Sequence, residues 1–449
     1  MFKNIRQLTP FSLTLLAMAF VMSISQSTMT TTYPMLMAQF HINTITVQWL
    51  TTGFMVAMTL AMPVSPWLLN NVSLKRLLNG IGIIFLVGTL LAMLSPNFIG
   101  VIIGRLLEGI AVGALFPTFQ TIIMENSDEK RRGEAMGIVG LVMGSALAVG
   151  PIVSGVLLQW ISWRALFGFF LIILTVLLLI MQGKISQTHS IARTTFDWWS
   201  ALSLLGFGGL LYAISIIPTS GINLVWWSVI VVSVFLLGMF ICRQKRLTTP
   251  FLDLSVLSFQ GYRPAMFLTG LSYSGLIVAT VLMPLLYQKV YGISPLFSGL
   301  LMVPPAFILS QLNPRAGKLL NQIGLKRLVY IGMSMMILGY LLLGFFGQMS
   351  WLIGLLAAVL LEGGNAFVMM PAITAAGNAL PKDLISHGTA IITSMRQFIG
   401  AGSVVVASIL IAYFNQVGSF GHALMISARW LMLMPILGII LALRLKEDN

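Results

Sequence analysis

Apolar residues run through this chain in long, nearly unbroken stretches from about residue 11 to residue 443, separated by short clusters of polar residues, Pro and Gly. About 20 mostly apolar residues suffice for a helix to cross a bilayer. Breaking the chain at the clusters predicts about fourteen such spans. Their cores are 11–38, 46–69, 76–95, 97–124, 133–159, 164–182, 198–217, 222–242, 263–288, 295–313, 328–347, 351–376, 387–413 and 423–443. Within them hydrophobicity is continuous rather than alternating. This predicts helices that satisfy their own backbone and argues against a β-barrel. The expected fold class is all-α and polytopic.

Composition sharpens this picture. Of 449 residues 58% are hydrophobic and 8% charged, against roughly 25% charged in soluble domains. The net charge of +14 is spread over short loops instead of being gathered with aromatic residues, so it points to membrane orientation and not to nucleic acid. With the N-terminus inside, 20 of the 25 Lys and Arg fall on the cytoplasmic side. Arg164, Lys289 and Arg429 fall outside, and Arg105 and Arg396 lie within spans. An even span count then leaves both termini cytoplasmic, in a multi-pass protein of the cell membrane. The first apolar run follows Lys3 and Arg6 but contains Ser23, Ser25, Gln26 and Ser27, so it reads as a retained helix and not as a signal peptide. The single cysteine, Cys242, excludes an internal disulfide.

The chain carries an internal repeat. Leu106-Leu107-Glu108-Gly109, followed by Pro117, recurs 254 residues later as Leu360-Leu361-Glu362-Gly363, followed by Pro371. Leu74-Lys75-Arg76-Leu77 recurs 251 residues later as Leu325-Lys326-Arg327-Leu328. The repeat relates spans 1–6 to spans 9–14. The expected organisation is a six-helix half over 1–183, two inserted helices over 184–246 and a second six-helix half over 247–449. Duplicated halves place a transport site near the membrane midplane between them.

The stretch Gly144 to Gly155, Gly-Ser-Ala-Leu-Ala-Val-Gly-Pro-Ile-Val-Ser-Gly, resembles the Gly-Pro signature of drug:proton antiporters in the major facilitator superfamily, with Gly150 and Pro151 at its centre. Gly104-Arg105 with Glu108-Gly109, Trp163-Arg164, and Met395-Arg396-Gln397 with Gly400 resemble the fourteen-helix branch of that family. The resemblance implies the major facilitator fold, drug export in exchange for protons, and conformational roles for Arg105, Gly144, Gly150, Pro151, Gly155, Lys75, Arg76, Lys326, Arg327 and Arg396. The chain also departs from the pattern. The loop after the second span keeps Lys75 and Arg76 but has Pro66, Asn70 and Ser73 where Gly, Asp and Gly are usual. The second copy has Asn321 for the Asp, and the family's acid in the first span is replaced by neutral Ser25 or Gln26. Roles assigned to those acids do not carry over.

Glu108 and Glu362 are the two carboxylates deep in apolar spans. A charge there costs several kcal/mol on insertion scales, which makes each a candidate for proton coupling and for contact with a cationic substrate. Arg105 stands three residues before Glu108 on the same helix face, leaving open a fixed ion pair or a working acid. The position matching Arg105 before Glu362 is Val359, although Arg396 is available as a neutralising partner. Asn365, three residues after Glu362, is read as a hydrogen-bond partner of that acid, as a substrate contact or as a packing amide. Gln26 and Thr30, one turn apart, and Trp49, Phe54, Phe116, Tyr273, Phe367 and Met370 are further candidates for an adaptable substrate pocket. In the fifth span Gly133, Gly137, Gly140, Gly144, Ala148, Pro151 and Gly155 recur every three or four residues and predict a smooth face for close helix packing. By resemblance, that face also serves as a hinge or seal.

The four histidines show no metal spacing and no phosphate-binding Gly-Lys-Ser/Thr loop is present, so neither a metal, a cofactor nor an enzymatic reaction is expected. The reading that follows is a monomeric drug:proton antiporter whose partners are small amphipathic molecules, cationic or zwitterionic, protons and the bilayer. The alternatives are a dedicated exporter of a lipid or metabolite, and a non-transporting membrane sensor.

Overall fold

In hydrocarbon each backbone N–H and C=O must find its partner within the segment or its neighbours, and this sequence meets that condition with helices. The computed structural model describes residues 10–42, 44–183, 194–247 and 249–445, and every regular element among them is helical. Lys3, Arg6, Lys184, His189, Arg193, Lys446, Glu447 and Asp448 lie outside the described residues. The N-terminal helices are α1 (Pro10–Phe40), α2 (Thr44–Ala61), α3 (Ser65–Asn71), α4 (Leu74–Leu94), α5 (Phe98–Glu125), α6 (Arg132–Trp160) and α7 (Trp163–Gln182). A middle set comprises α8 (Trp198–Ser203), α9 (Leu205–Ser220) and α10 (Leu224–Gln244). The C-terminal helices are α11 (Tyr262–Leu285), α12 (Pro295–Leu301), α13 (Val303–Phe346), α14 (Trp351–Asn378), α15 (Ile385–Asn415), α16 (Phe420–Leu431) and α17 (Leu433–Ala442).

Polar residues that mark span boundaries in the sequence act as caps. The side chain of Asn97 accepts from the Gly100 amide at 2.9 Å, and that of Asn223 from Trp226 at 2.8 Å. The C-termini of α4 and α13 are capped by arginines of α7 and α16. Arg164 donates to the carbonyls of Met93 and Ser95, both at 3.2 Å, and Arg429 donates to Gly344 at 2.8 Å. A cation at a helix C-terminus meets unsatisfied carbonyls, which gives these two outlying arginines a structural role.

Twelve described stretches are long and apolar enough to cross a membrane. The predicted spans 295–313 and 328–347 are joined in one of them, Phe297–Phe346, because the helix continues past Arg315 and Lys318 to a break at Gly324. Gly324 has φ 75° and ψ 166°, a conformation open to glycine for want of a Cβ. The predicted span 198–217 appears as α8 and α9, with a shorter apolar stretch, Trp198–Ile214.

Among the N-terminal helices α4 packs on α5 and α7, α2 on α5, and α1 on α6 and α7. Among the C-terminal ones α13 packs on α14, α11 on α14 and α15, and α15 on α16. The two groups meet chiefly where α6 lies along α13, and where α5 and the α2–α3 segment touch α15. Helix α9 rests against both α2 and α15, while α10 exposes Val231, Val232, Val234 and Phe235 as an apolar outer face.

Candidate functional site

Helix α5 reaches its neighbours closely because of two glycines beside Glu108. A Cβ on Gly104 would meet Ala92 of α4 at 2.8 Å, and one on Gly109 would meet Ala57 of α2 at 3.1 Å. Glu108 is therefore walled in and fully buried. Its Oε1 accepts from the Thr89 hydroxyl at 2.7 Å, and its Oε2 takes Nη1 of Arg105 in an ion pair. The Ser25 hydroxyl accepts from the same Nη1 at 3.0 Å and donates to Oε2 at 3.3 Å. The Arg105 guanidinium carbon lies 4.2 Å over the ring of Phe54. Of the two residues that stand for the family's first-span acid, Ser25 joins this cluster and Gln26 is half-buried beside it in sequence. Sequence reasoning misses Thr89, whose one signal is that it is the sole polar residue in the run 81–94.

Glu362 occupies the matching place in α14 with the opposite result. It is 2% exposed, and its Oε2 has no hydrogen-bond partner among the described residues. The repeat has changed each partner that Glu108 uses. Arg105 becomes Val359 at the 254-residue offset, and Thr89 becomes Tyr340 at the 251-residue offset. With Pro34 and Pro284 setting the register, Ser25 becomes Gly275. Tyr287, on the turn that follows α11, interacts electrostatically with Glu362 and buries a hydroxyl that is likewise without a hydrogen bond. No ion pair joins Arg396 to Glu362 among the described residues. Arg396 instead stands 5.0 Å from the Tyr273 ring centre.

The remaining candidates scatter. Asn365 is buried and donates to Ser272 at 3.4 Å. Phe116 stacks edge-on against Phe119. Trp49 lies against Tyr212 of α9, with ring centres 5.6 Å apart, and so faces the middle helices. Phe367 packs against Gly332 of α13, five residues round the helix from Glu362, and Met370 lies beside Gly140 of α6. The side chains of Thr30 and Pro151 lie outside the described set.

Residues 15–404 match the Major Facilitator Superfamily. The chain belongs to that family. It is 32% identical over 416 residues to the MFS-type transporter YcnB of Bacillus subtilis (strain 168), covering 91% of this chain and 86% of the relative. It is 31% identical over 382 residues to the lincomycin resistance protein LmrB of Listeria monocytogenes, covering 83% and 80%. The fold is similar to that of the MFS proton:xylose symporter XylE bound to 6-bromo-6-deoxy-D-glucose, with TM-score 0.68 and 13% identity over 96% of this chain and 94% of that one. This protein is thus a membrane transporter of the superfamily.

In this transporter the glycine stripe of α6 serves mainly as the joint between the groups. A Cβ on Gly137 would meet Asn313 and Pro314 of α13 at 2.8 Å, and one on Gly144 would meet Ser310 at 3.2 Å. Ser145 and Ser310 share a hydrogen bond of 2.7 Å. Further along α6, Gly150, off the stripe, faces Ser27 of α1, and Gly155 faces open space. The joint continues to the start of α6. There Gly133 and Gly317 pack backbone to backbone, Arg132 donates to Asn378 at 3.0 Å, and the Asn321 amide donates to the Lys130 carbonyl. Thr121 donates to Thr389 at 3.0 Å across the same end. Lys75 and Lys326 are half-buried, and Arg76 and Arg327 exposed, at matching positions of the repeat.

Proposed function

We propose that this transporter is a drug:proton antiporter of the cell membrane, exporting amphipathic cations or zwitterions. The observation that carries the reading is Glu362: a carboxyl buried in a membrane helix with an oxygen left unpaired. A charge so placed costs several kcal/mol, and an acid without a fixed partner is free to take a proton or an organic cation in turn. Glu108 has its fixed partners already, so coupling centres on Glu362, and Glu108 with Arg105 braces α5 against α1, α2 and α4. The name of the Listeria relative supports drugs as the substrate class.

The reading includes fourteen crossings. Splitting the 50-residue stretch Phe297–Phe346 at Gly324 gives two, since about 75 Å of helix is more than twice the bilayer core. Counting Trp198–Ile214 completes the number. Lys and Arg then gather on one side, which supports cytoplasmic termini and a division into 1–183, 184–246 and 247–449. The close contacts of α6 with α13 at Gly133, Gly137 and Gly144 lie in the half of α6 toward that side, which supports closure of the two groups at the cytoplasmic end.

The test is proton-driven dye uptake into everted vesicles, together with proton release from the purified protein on adding ligand. Wild type is expected to do both. Glu362→Gln is expected to abolish proton release and uphill transport while retaining downhill exchange. Undiminished proton-driven transport by Glu362→Gln would overturn the assignment.

A further inference from the structure

Arg396 is 1% exposed, and its guanidinium meets no carboxylate among the described residues. Its Nη1 lies 3.8 Å from the Met369 sulfur, a weak acceptor, and its Nε meets no acceptor. A guanidinium offers five N–H donors, and taking it out of water without a counter-charge costs several kcal/mol. Arg105 shows how this chain settles an arginine whose role is structural. Equally buried, it is held by Glu108, Ser25 and the carbonyl of Leu50. Arg396 has been given no such set.

The surroundings of Arg396 resemble a seat awaiting a polar group. Tyr273 lies beneath it, and Asn365 and Gln397 each bury an amide oxygen with no donor. Glu362, Asn365 and Met369 follow one another at intervals of three and four residues, so they share a stripe of α14. Arg396 reaches this stripe at Met369, seven residues and about 10 Å of helix from Glu362. An unpaired acid and an unpaired base are thus held on one stripe, too far apart to neutralise each other. Met58 of α2 covers the seat, with its sulfur 3.8 Å from the Gln397 amide, so separation of the two helix groups at that contact opens it.

We propose that Arg396, with Tyr273, forms an anion subsite that takes the carboxylate or other acidic group of a zwitterionic substrate whose cationic end lies toward Glu362 and the unpaired amide oxygen of Asn365. The inference rests on the efflux reading and adds to it a second, oppositely charged contact.

A matched pair of dyes tests it: a rhodamine free acid, which is zwitterionic, and its methyl ester, which is cationic. Binding of each to the purified full-length protein in nanodiscs is followed by fluorescence polarisation, with melting temperature recorded for every variant. Arg396→Gln is expected to weaken the free acid about tenfold and the ester no more than about twofold, because only the acid loses a charge-assisted hydrogen bond. Arg396→Lys, which keeps the charge, is expected to retain most of the preference for the acid. Equal loss of both dyes, or an unchanged affinity for the acid, overturns the subsite. Wild type that binds the ester but not the acid also overturns it and leaves the efflux reading standing. Wild type that binds neither overturns both.

Discussion

Glu108 and Glu362 stand 254 residues apart at matching positions of a repeat, yet one accepts bonds from Arg105, Thr89 and Ser25 while the other keeps an oxygen unbonded. The duplication preserved the acids and replaced all three partners of the second. Two carboxyls of one origin are thereby separated into a brace and a group free to exchange its partner.

The brace predicts a thermodynamic cycle. Arg105→Leu leaves the Glu108 carboxylate buried without its counter-charge, a loss of about 3–5 kcal/mol for a broken buried pair. Arg105→Leu with Glu108→Leu is expected to recover most of that loss, since neither charge remains. Melting of the purified variants measures both, and a double variant as unstable as the single one contradicts the account.

Glu362→Gln is expected to behave differently. Removing an unpaired buried acid breaks no hydrogen bond of its Oε2, so melting temperature should hold or rise while proton-coupled transport disappears. A large fall in melting temperature would mean that Glu362 is a structural residue.

The hydroxyls of Thr121 and Thr389 are 3.0 Å apart across the joint between the helix groups. Cysteines at both positions, in a Cys242→Ser background, are expected to cross-link on oxidation and to stop transport until a reductant is added. Cross-linked protein that still transports would show that this end need not open.

Asp197 and Arg243 tie α8 to α10 through hydrogen bonds of 2.7 and 2.8 Å. The bonds from Arg243 hold the Asp197 carboxyl below its ordinary value of 3.8. The tie thus adds stability above that value and loses it as pH falls through the lower, folded-state value. Asp197→Asn is expected to melt slightly earlier than wild type at pH 7, with the difference fading toward pH values below 3.8. A gap that persists in acid would assign the effect to packing.

Much of the site was legible in the chain. The spacing of Arg105 and Glu108 by three residues announced a candidate pair, and the repeat announced Glu362 with Val359 in place of an arginine. The glycine spacing of α6 announced a close helix contact. Thr89 and Ser25 were not legible as partners, because they lie 19 and 83 residues from Glu108 and nothing local links them to it. Trp49 and Phe367 read as pocket residues beside polar neighbours. Helix rotation turned the first toward α9 and the second toward α13, and sequence spacing carries no record of which neighbour stands on which side.

The order of apolar and polar residues by itself determined that this chain forms membrane helices, roughly where they end, and which carboxyls are surrounded by apolar segments. These depend on transfer from water and on backbone hydrogen bonds closed within a few residues. Tertiary structure alone decided that α13 is the partner of the α6 glycines, that Glu108 is bound while Glu362 is not, and that Arg396 stands apart from both. Those outcomes rest on contacts between helices distant in sequence, where a displacement of one side chain's length makes or removes a bond.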